Sequence, residues 1–555
     1  MQKAKRDNRD QIGLLMETSW EVCNKIGGIY TVLSTKARVL QEQFGDKLVF
    51  IGPDVWTKEN PSPYFIERKT LLKSCSSRME LPFGITVRAG RWNIPGSPQV
   101  LLVKFDGVYK HLDDIFGKMW DLYKVDSLHA YGDYNEGCAY AVATAIVMDA
   151  LAKHLGVDAA NILGHFNEWT TAMGLLYLKM TTPEARTVFT THATSIGRSI
   201  CGNGKPLYDY FTGYNGDQMA RELNMESKHS LEKTAAHQAD CFTAVSEITA
   251  RECEQLLEIR PQVVTPNGFE PDFVPGAAKY KTLRKNGREK LLKIANTLRG
   301  ADYGDDTMIV ATSGRNEYRN KGLDLFLDSM VEVENINPDT KIIALVLVPA
   351  WVKGPSLELL ADMESGKKVE NAPDFMTHRL NNEESDSVTR RIAQLENEGH
   401  FKNGISVIYV PCYLDGNDGV VNISYYDILP ALDITVFPSY YEPWGYTPLE
   451  SVAFGVPTVT TDKSGFGQWI LSHFENDILS CGVKVVARTD SNYQQAAEDI
   501  SLQLVNYQGL TAPERTKASK AATATSKKAD WKYFIKAYDE AFEVATKRRD
   551  ERLKN

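Results

Sequence analysis

Short apolar runs alternate with longer amphipathic stretches along the chain, and this pattern predicts its secondary structure. In the first half the apolar runs that predict buried strands are 12–16, 48–51, 100–103, 161–165 and 187–190. The stretches between them, such as 29–43 and 136–155, carry Ala, Leu and Val at helical spacing. Regular alternation of strands and helices favours a parallel sheet that is covered by helices on both faces.

A turn over 265–268, Thr-Pro-Asn-Gly, interrupts this pattern and predicts a domain boundary. A basic helix over 279–299 follows it. A second series of strands is then predicted at 308–312, 342–348, 405–410, 434–437, 457–460 and 483–486. We therefore predict an α/β protein with two doubly wound, Rossmann-like domains that face a cleft, over 1–268 and 269–511, followed by C-terminal helices over 512–555.

The segment 354–404 departs from the alternation because it is dense in charged residues and Asn. A helical pattern around 388–395 indicates helices that are inserted into the second domain. Two interpretations stay open: a solvated helical excursion, or an element that mediates oligomerisation.

Composition and charge restrict the kinds of partner that this protein binds. The chain has 555 residues and a net charge of −9, and this acidic balance argues against nonspecific binding to nucleic acid or to an anionic membrane surface. Its charged first ten residues do not resemble a signal peptide, and the apolar runs are shorter than the roughly eighteen residues of a membrane span. The eight cysteines are scattered singly and the ten histidines show no zinc-type spacing. We expect a cytoplasmic protein with reduced thiols and no metal or other cofactor.

The most informative stretch, 437–450, reads Phe-Pro-Ser-Tyr-Tyr-Glu-Pro-Trp-Gly-Tyr-Thr-Pro-Leu-Glu. It follows a predicted strand and carries two carboxylates, Glu442 and Glu450, on either side of Gly445. The string 447–450 has the form of a capping box, in which Thr447 caps a helix and Glu450 reaches back to the cap amide. Amides at a helix start bind phosphate, and carboxylates accept hydrogen bonds from sugar hydroxyls. Together they predict a site for a sugar nucleotide.

Other strings at predicted strand ends contain residues that suit the same ligand. Arg315 offers a planar fork and Lys321 a point charge to a diphosphate. In 190–198, His192 suits a sugar hydroxyl and Arg198 a phosphate. Each string also has an ordinary interpretation, as surface cations or as a structural histidine. The paired glycines after the first strand, and the string 164–169, can equally be simple turns. We favour function for Arg315 and Lys321 because the Glu442–Glu450 loop accompanies them, whereas a structural role is the default for any single histidine. All these strings follow predicted strands, where ligands bind in this class of fold.

The string 440–450 closely resembles the signature of the animal and fungal type of glycogen synthase. Further strings that match are 20–32, 189–194, 245–249, 266–268, 320–322, 459–467 and 530–531, so the resemblance covers nearly the whole chain. It implies a GT-B fold and a metal-independent, retaining transfer of glucose from UDP-glucose to the non-reducing end of an α-1,4-glucan. The implied partners are UDP-glucose and glycogen or a maltooligosaccharide, and a homo-oligomer, with a tetramer favoured, is expected.

The resemblance also implies roles for individual residues. Arg315 and Lys321 would hold the diphosphate, Glu450 the ribose and Tyr425 the uracil. The implied catalytic residues are Glu442, Arg315, Lys321, His192 and Arg198, and the implied donor-binding residues are Lys25, Gly27, Gly28, Tyr425, Gly445, Tyr446, Thr447 and Glu450.

Two stretches depart from the family and leave alternatives open. Around Tyr425, the stretch 412–433 differs, and 512–528 holds only Arg515 and four lysines where eukaryotic members carry an arginine-rich regulatory helix. The chain also lacks the family's long tails, so we expect a tail-less bacterial member. The alternatives are a related retaining enzyme that uses ADP-glucose or makes a short saccharide such as sucrose or trehalose phosphate, and an inactive glucan-binding subunit.

Overall fold

The computed structural model describes residues 8–57, 59–366, 374–401 and 404–554. The chain divides into two compact units, each built around its own main sheet. The first unit comprises Met1–Asn203, Tyr210–Glu270 and Asp530–Asn555, and the second comprises Gly204–Asp209 and Pro271–Ala529. The boundary that was predicted after residue 268 lies close to the start of the main segment of the second unit.

The first unit contains one large sheet. Its strands are β1 Leu14–Thr18, β2 Leu48–Pro53, β3 Phe65–Glu67, β4 Thr86–Trp92, β5 Gln99–Lys104, β6 Ile162–Asn167, β7 Arg186–Thr191, β8 Cys241–Ala244 and β9 Val263–Val264. They lie in the order β3-β4-β5-β2-β1-β6-β7-β8-β9. Strands β1, β2, β6 and β7 are buried at every position, as expected for strands that are covered on both faces. The predicted parallel arrangement does not extend to one edge of the sheet, where β3 pairs antiparallel with β4, and β4 with β5. The connection between β4 and β5 is too short for the crossover that a parallel pair needs.

Helices cover both faces of this sheet. They are α1 Gly28–Phe44, α2 Leu71–Arg78, α3 Leu112–Tyr123, α4 Tyr134–Leu155, α5 Trp169–Thr181, α6 Ser195–Gly202, α7 Gly216–Glu222, α8 Glu226–Gln238 and α9 Glu247–Leu256. Among the described residues, α4 is the one helix that is long and apolar enough to cross a membrane by those two criteria. Because 67% of its most apolar window is buried, we interpret α4 as a core helix.

The second unit contains a parallel sheet and a small ribbon. Its strands are β10 Met308–Ser313, β11 Ile342–Leu347, β12 Val352–Pro355, β13 His378–Leu380, β14 Ile405–Val410, β15 Ile434–Phe437, β16 Thr458–Thr461 and β17 Val483–Val486. The parallel sheet has the order β14-β11-β10-β15-β16-β17, and β12 pairs antiparallel with β13. Its helices are α10 Ala277–Arg299, α11 Leu323–Ile336, α12 Leu357–Ser365, α13 Ser387–Glu398, α14 Tyr425–Ile428, α15 Tyr446–Ala453, α16 Gly465–His473, α17 Ile478–Cys481, α18 Tyr493–Gln508 and α19 Ala512–Ser526. The predicted insertion over 354–404 thus contains α12, α13 and the β13 strand of the ribbon, while 367–373 and 402–403 lie outside the described residues.

The predicted C-terminal helical segment is shared between the two units. Helix α19 belongs to the second unit, whereas α20, Trp531–Arg552, belongs to the first. The indole N–H of Trp531 donates to Thr35 Oγ1 at 2.8 Å, and a Cβ added to Gly268 would lie 2.7 Å from the Trp531 ring. This tight packing of a buried tryptophan, together with the buried Tyr538, holds α20 on the first unit.

Candidate functional site

The loop after β1 carries the paired glycines, and a glutamate organises it. Glu21 accepts hydrogen bonds from the backbone N–H of Gly27 at 2.7 Å and of Tyr30 at 2.8 Å. A Cβ on Gly27 would meet the Glu21 carboxylate at 3.2 Å, whereas one on Gly28 would meet nothing within 4 Å. Two amides at the start of α1 therefore already bind a carboxylate, and the side chain of Lys25 beside them is exposed.

His192 follows the end of β7, next to the end of β6. Its Nε2 lies 3.0 Å from Asn167 Oδ1, and the backbone N–H groups of His192 and Ala193 donate to Glu168 Oε1 at 2.9 and 3.2 Å. Burial, reinforced by the positive charge of Lys36, lowers the pKa of His192 to about 3. The imidazole is therefore neutral at physiological pH.

Glu168 is a site residue that the sequence did not identify, since the string 164–169 was open to interpretation as a simple turn. Its φ of 69° is unusual for a residue with a side chain. Burial and the neighbouring Glu232 raise the pKa of its carboxyl to about 8, and Arg198 opposes that shift. The structure thus brings His192, Arg198 and Glu168 together in the first unit. A positive φ at a non-glycine residue leaves no signal in the sequence.

The second unit joins Lys321 to Glu442. These residues follow β10 and β15, which are neighbouring parallel strands, so their loops meet at one edge of the sheet. The Lys321 ammonium forms an ion pair with the Glu442 carboxylate, and the two side chains are only 14% and 13% exposed. Arg315 is half exposed and pairs with Glu317 at 2.9 Å.

A glycine fixes the approach of these two loops. Gly322 has a φ of 65°, and a Cβ there would lie 2.0 Å from the carbonyl oxygen of Pro438. A side chain at this position would be both strained and sterically blocked.

Helix α15 starts two residues earlier than predicted, at Tyr446 instead of Pro448, so the predicted capping box is wrong. Gly445, with a φ of 106°, occupies the N-cap position, and Thr447 lies inside the first turn beside Tyr446. Glu450 is accordingly the fifth residue of the helix, two positions beyond the third residue that a capping box uses. Its buried carboxylate instead accepts a hydrogen bond from the Tyr426 hydroxyl at 2.8 Å.

Two adjacent tyrosines take different positions beside this helix. The Tyr425 hydroxyl lies 3.0 Å from Ser313 Oγ, at the end of β10, whereas Tyr426 stacks on Phe454 at 5.4 Å between ring centroids. The Tyr426 hydroxyl thus donates to Glu450, and the predicted contact of Tyr425 with a base stays a prediction.

Within the described ranges, one group of side chains has the composition of a metal site: His378, Cys412 and Asp418. The ligand atoms of His378 and Asp418 already make hydrogen bonds. His378 Nε2 lies 2.9 Å from the backbone oxygen of Asp418, and its Nδ1 lies 2.9 Å from Thr377 Oγ1. The Asp418 carboxylate accepts three backbone N–H bonds at 2.7 to 3.0 Å. We assign this group to the structure of its loop.

Comparisons with known proteins show the family to which the chain is similar. A family model described as Glycogen synthase matches residues 17–363 and 359–552. The chain is 27% identical to the glycogen [starch] synthase of Neurospora crassa, over 96% of this chain and 84% of that protein. It is also 27% identical to the human liver glycogen [starch] synthase, over 95% of this chain and 82% of that protein.

Solved structures share the fold at lower identity. The catalytic domain of starch synthase IV from Arabidopsis thaliana, bound to ADP and acarbose, has a TM-score of 0.58 at 14% identity, covering 97% of this chain and 100% of that one. A sucrose-phosphate synthase from Thermosynechococcus elongatus has a TM-score of 0.52 at 12% identity, covering 95% and 98%. The predicted GT-B fold is confirmed.

Proposed function

Since this chain belongs to the glycogen synthase family, we propose that it transfers glucose from UDP-glucose to the non-reducing end of an α-1,4-glucan with retention of configuration. Membership of the family makes it a glycosyltransferase with a nucleotide-sugar donor and a glucan acceptor. We propose three further points: that the nucleotide is UDP, that the configuration is retained, and that individual residues have the roles given below.

The largely buried ion pair of Lys321 and Glu442 is the observation that carries this proposal. Breaking the bond between glucose and diphosphate places negative charge on the leaving group and positive charge on the sugar ring. Lys321, with Arg315 beyond it, would stabilise the leaving diphosphate, and Glu442 would face the developing oxocarbenium charge. The carboxylate also balances the lysine charge when no donor is bound.

In the second unit, the first turn of α15 and Glu450 would bind the donor. Backbone amides at the start of a helix suit phosphate oxygens, and the first turn of α15 offers those of Tyr446 and Thr447, with Gly445 before them. A carboxylate has several acceptor positions, so Glu450 can bind a ribose hydroxyl while it holds Tyr426.

In the first unit, we assign the donor glucose to His192 and its phosphate to Arg198. A neutral imidazole can accept a hydrogen bond from a sugar hydroxyl, which a protonated one cannot. Lys25 and the Gly27-Gly28 pair would contact the donor from the loop after β1.

Two properties of the whole protein belong to the same proposal. The cysteines of the described residues are free, and all except Cys412 are buried, which supports a reducing, cytoplasmic location. A homo-oligomer, with a tetramer favoured, rests on the family resemblance alone, and light scattering of the purified protein would measure its mass.

A donor competition assay tests the function. Purified protein is incubated with radiolabelled UDP-glucose or ADP-glucose and with glycogen, and label that enters polymer is counted after glucoamylase digestion. We expect incorporation from UDP-glucose at much the higher kcat/KM, and α-linked product by NMR. A preference for ADP-glucose, a soluble disaccharide product, or no transfer from either donor would each refute a stated part of the proposal.

A further inference from the structure

A chain of buried hydrogen bonds runs behind the imidazole of His192. Its Nε2 lies 3.0 Å from Asn167 Oδ1, and Asn167 Nδ2 donates to Glu17 Oε1 at 3.2 Å and to the backbone oxygen of Thr18 at 3.1 Å. A carboxylate and a carbonyl can only accept hydrogen bonds, so the amide nitrogen of Asn167 must face them. Asn167 Oδ1 therefore faces His192, and Nε2 is the ring nitrogen that carries the proton.

The Glu17 carboxylate that Asn167 contacts belongs to a fully buried ion pair. Lys36 Nζ lies 2.7 Å from Glu17 Oε1, and both side chains have zero exposure. The ammonium also lies 3.9 Å from the centre of the Tyr538 ring, on the C-terminal helix of the same unit. A buried pair of this kind is often no more stable than apolar residues of the same size, so stability alone does not account for it.

The lysine keeps the glutamate ionised. Burial favours the protonated form of Glu17, but the charge of Lys36 and the hydrogen bonds from Lys36 and Asn167 outweigh burial and lower the pKa of Glu17. A protonated Glu17 could donate a hydrogen bond and so allow Asn167 to turn over. An ionised Glu17 cannot, and together with the Thr18 carbonyl it presents two acceptors that fix the orientation of Asn167.

We propose that Glu17, Lys36 and Asn167 are positioning residues that hold His192 as the neutral tautomer with its proton on Nε2. That tautomer leaves Nδ1 as the acceptor of the ring. That Nδ1 accepts a hydrogen bond from a hydroxyl of the donor glucose rests on the proposed function.

The charged and titratable groups around His192 come from several elements. Glu17 lies on β1, Lys36 on α1, His165 on β6 and Arg198 on α6, and the Glu168 carboxylate accepts the backbone N–H of His192. The cations of Lys36 and Arg198 disfavour a charged imidazole, in the same direction as burial.

Histidine ring nitrogens report the tautomer directly. We would label the protein with ¹⁵N-histidine and identify the His192 signals by their loss in His192→Gln. In the unaltered protein we expect a protonated Nε2 and an unprotonated Nδ1, with no titration between pH 5 and pH 8, a range chosen above the pKa of about 3. In Asn167→Ala we expect both tautomers to be populated.

Activity measurements separate positioning from a purely structural role. Asn167→Ala should lower kcat by about tenfold, the effect of one ordinary hydrogen bond in the transition state. Leu163→Ala, a core truncation on the same strand, is the control: it should lower the melting temperature and leave the tautomer unchanged. The pair Glu17→Leu with Lys36→Met should keep the melting temperature, because it removes both buried charges, and should still weaken the tautomer preference.

The outcomes distinguish this proposal from the proposed function, since the NMR measurement needs no substrate. A single Nε2–H tautomer in Asn167→Ala would overturn the positioning role. So would a loss of activity that follows the melting temperature equally in Asn167→Ala and Leu163→Ala. A tautomer that shifts as expected, in a protein with no transfer from UDP-glucose, would support the positioning role and contradict the proposed function instead.

Discussion

Replacing Lys321 by alanine is the sharpest perturbation of the second unit. The substitution removes the cation that faces Glu442, and that carboxylate is then left with a side chain only 13% exposed and without its counter-charge. Two separate effects follow, one on the chemical step and one on stability.

The effect on turnover comes from the leaving group. Loss of one preorganised charge or donor at developing negative charge costs about 3 kcal/mol, which is a hundredfold or more in kcat. The effect on stability comes from Glu442. Breaking a fully buried ion pair by removing one partner costs about 3–5 kcal/mol, and because this pair keeps some exposure we expect roughly 2–3 kcal/mol.

A second substitution separates the two effects. In the double variant Lys321→Ala/Glu442→Gln the uncompensated charge is gone, so stability should return towards that of the unaltered protein while turnover stays low. Initial rates at saturating glycogen and varied UDP-glucose give kcat and KM, and urea unfolding gives the free energy of unfolding. Lys341→Ala, which truncates an exposed lysine of the same unit, is the matched control and should change neither.

Two results would refute this reasoning. A kcat of Lys321→Ala within tenfold of the unaltered enzyme would remove the lysine from the chemical step. A double variant that regained both stability and turnover would show that Lys321 acts only by neutralising Glu442.

Three further predictions follow from the described contacts. Gly322→Ala should lower the free energy of unfolding by at least about 2 kcal/mol, because a Cβ would lie 2.0 Å from the Pro438 oxygen at a φ of 65°. Urea titration measures this free energy, and an unchanged value would contradict the prediction. Tyr426→Phe should raise the Kd for UDP more than it lowers kcat, because it removes the hydroxyl that donates to Glu450 at 2.8 Å. Calorimetry measures the Kd and initial rates measure kcat. A fall in kcat with an unchanged Kd would contradict the prediction. Burial raises the pKa of Glu168 from 4.5 to about 8. The contribution of Glu168 to the free energy of unfolding should therefore be complete below pH 4.5 and be lost as the pH rises towards 8. Unfolding measured across that range should show this loss in the unaltered protein and not in Glu168→Gln.

The buried parallel strands were predictable from the sequence for a simple reason. A strand that is covered on both faces needs a continuous apolar run, and such runs at 405–410 and 434–437 coincide with β14 and β15. The polar residues that follow these strands are visible in the same way, because chain order places them at the carboxyl edge of the sheet. Short strands such as β3 and β9 carry too few residues to show any period.

Tertiary structure alone decided the contacts that join distant positions. Glu450 has the sequence position of a capping glutamate, but the left-handed Gly445 starts the helix earlier and turns that carboxylate to Tyr426. Likewise the sequence shows Glu17, Lys36, Asn167 and His192 as four unrelated residues. Their hydrogen bonds depend on which strands become neighbours in the sheet, and that choice is made by packing across the whole unit rather than by any local pattern.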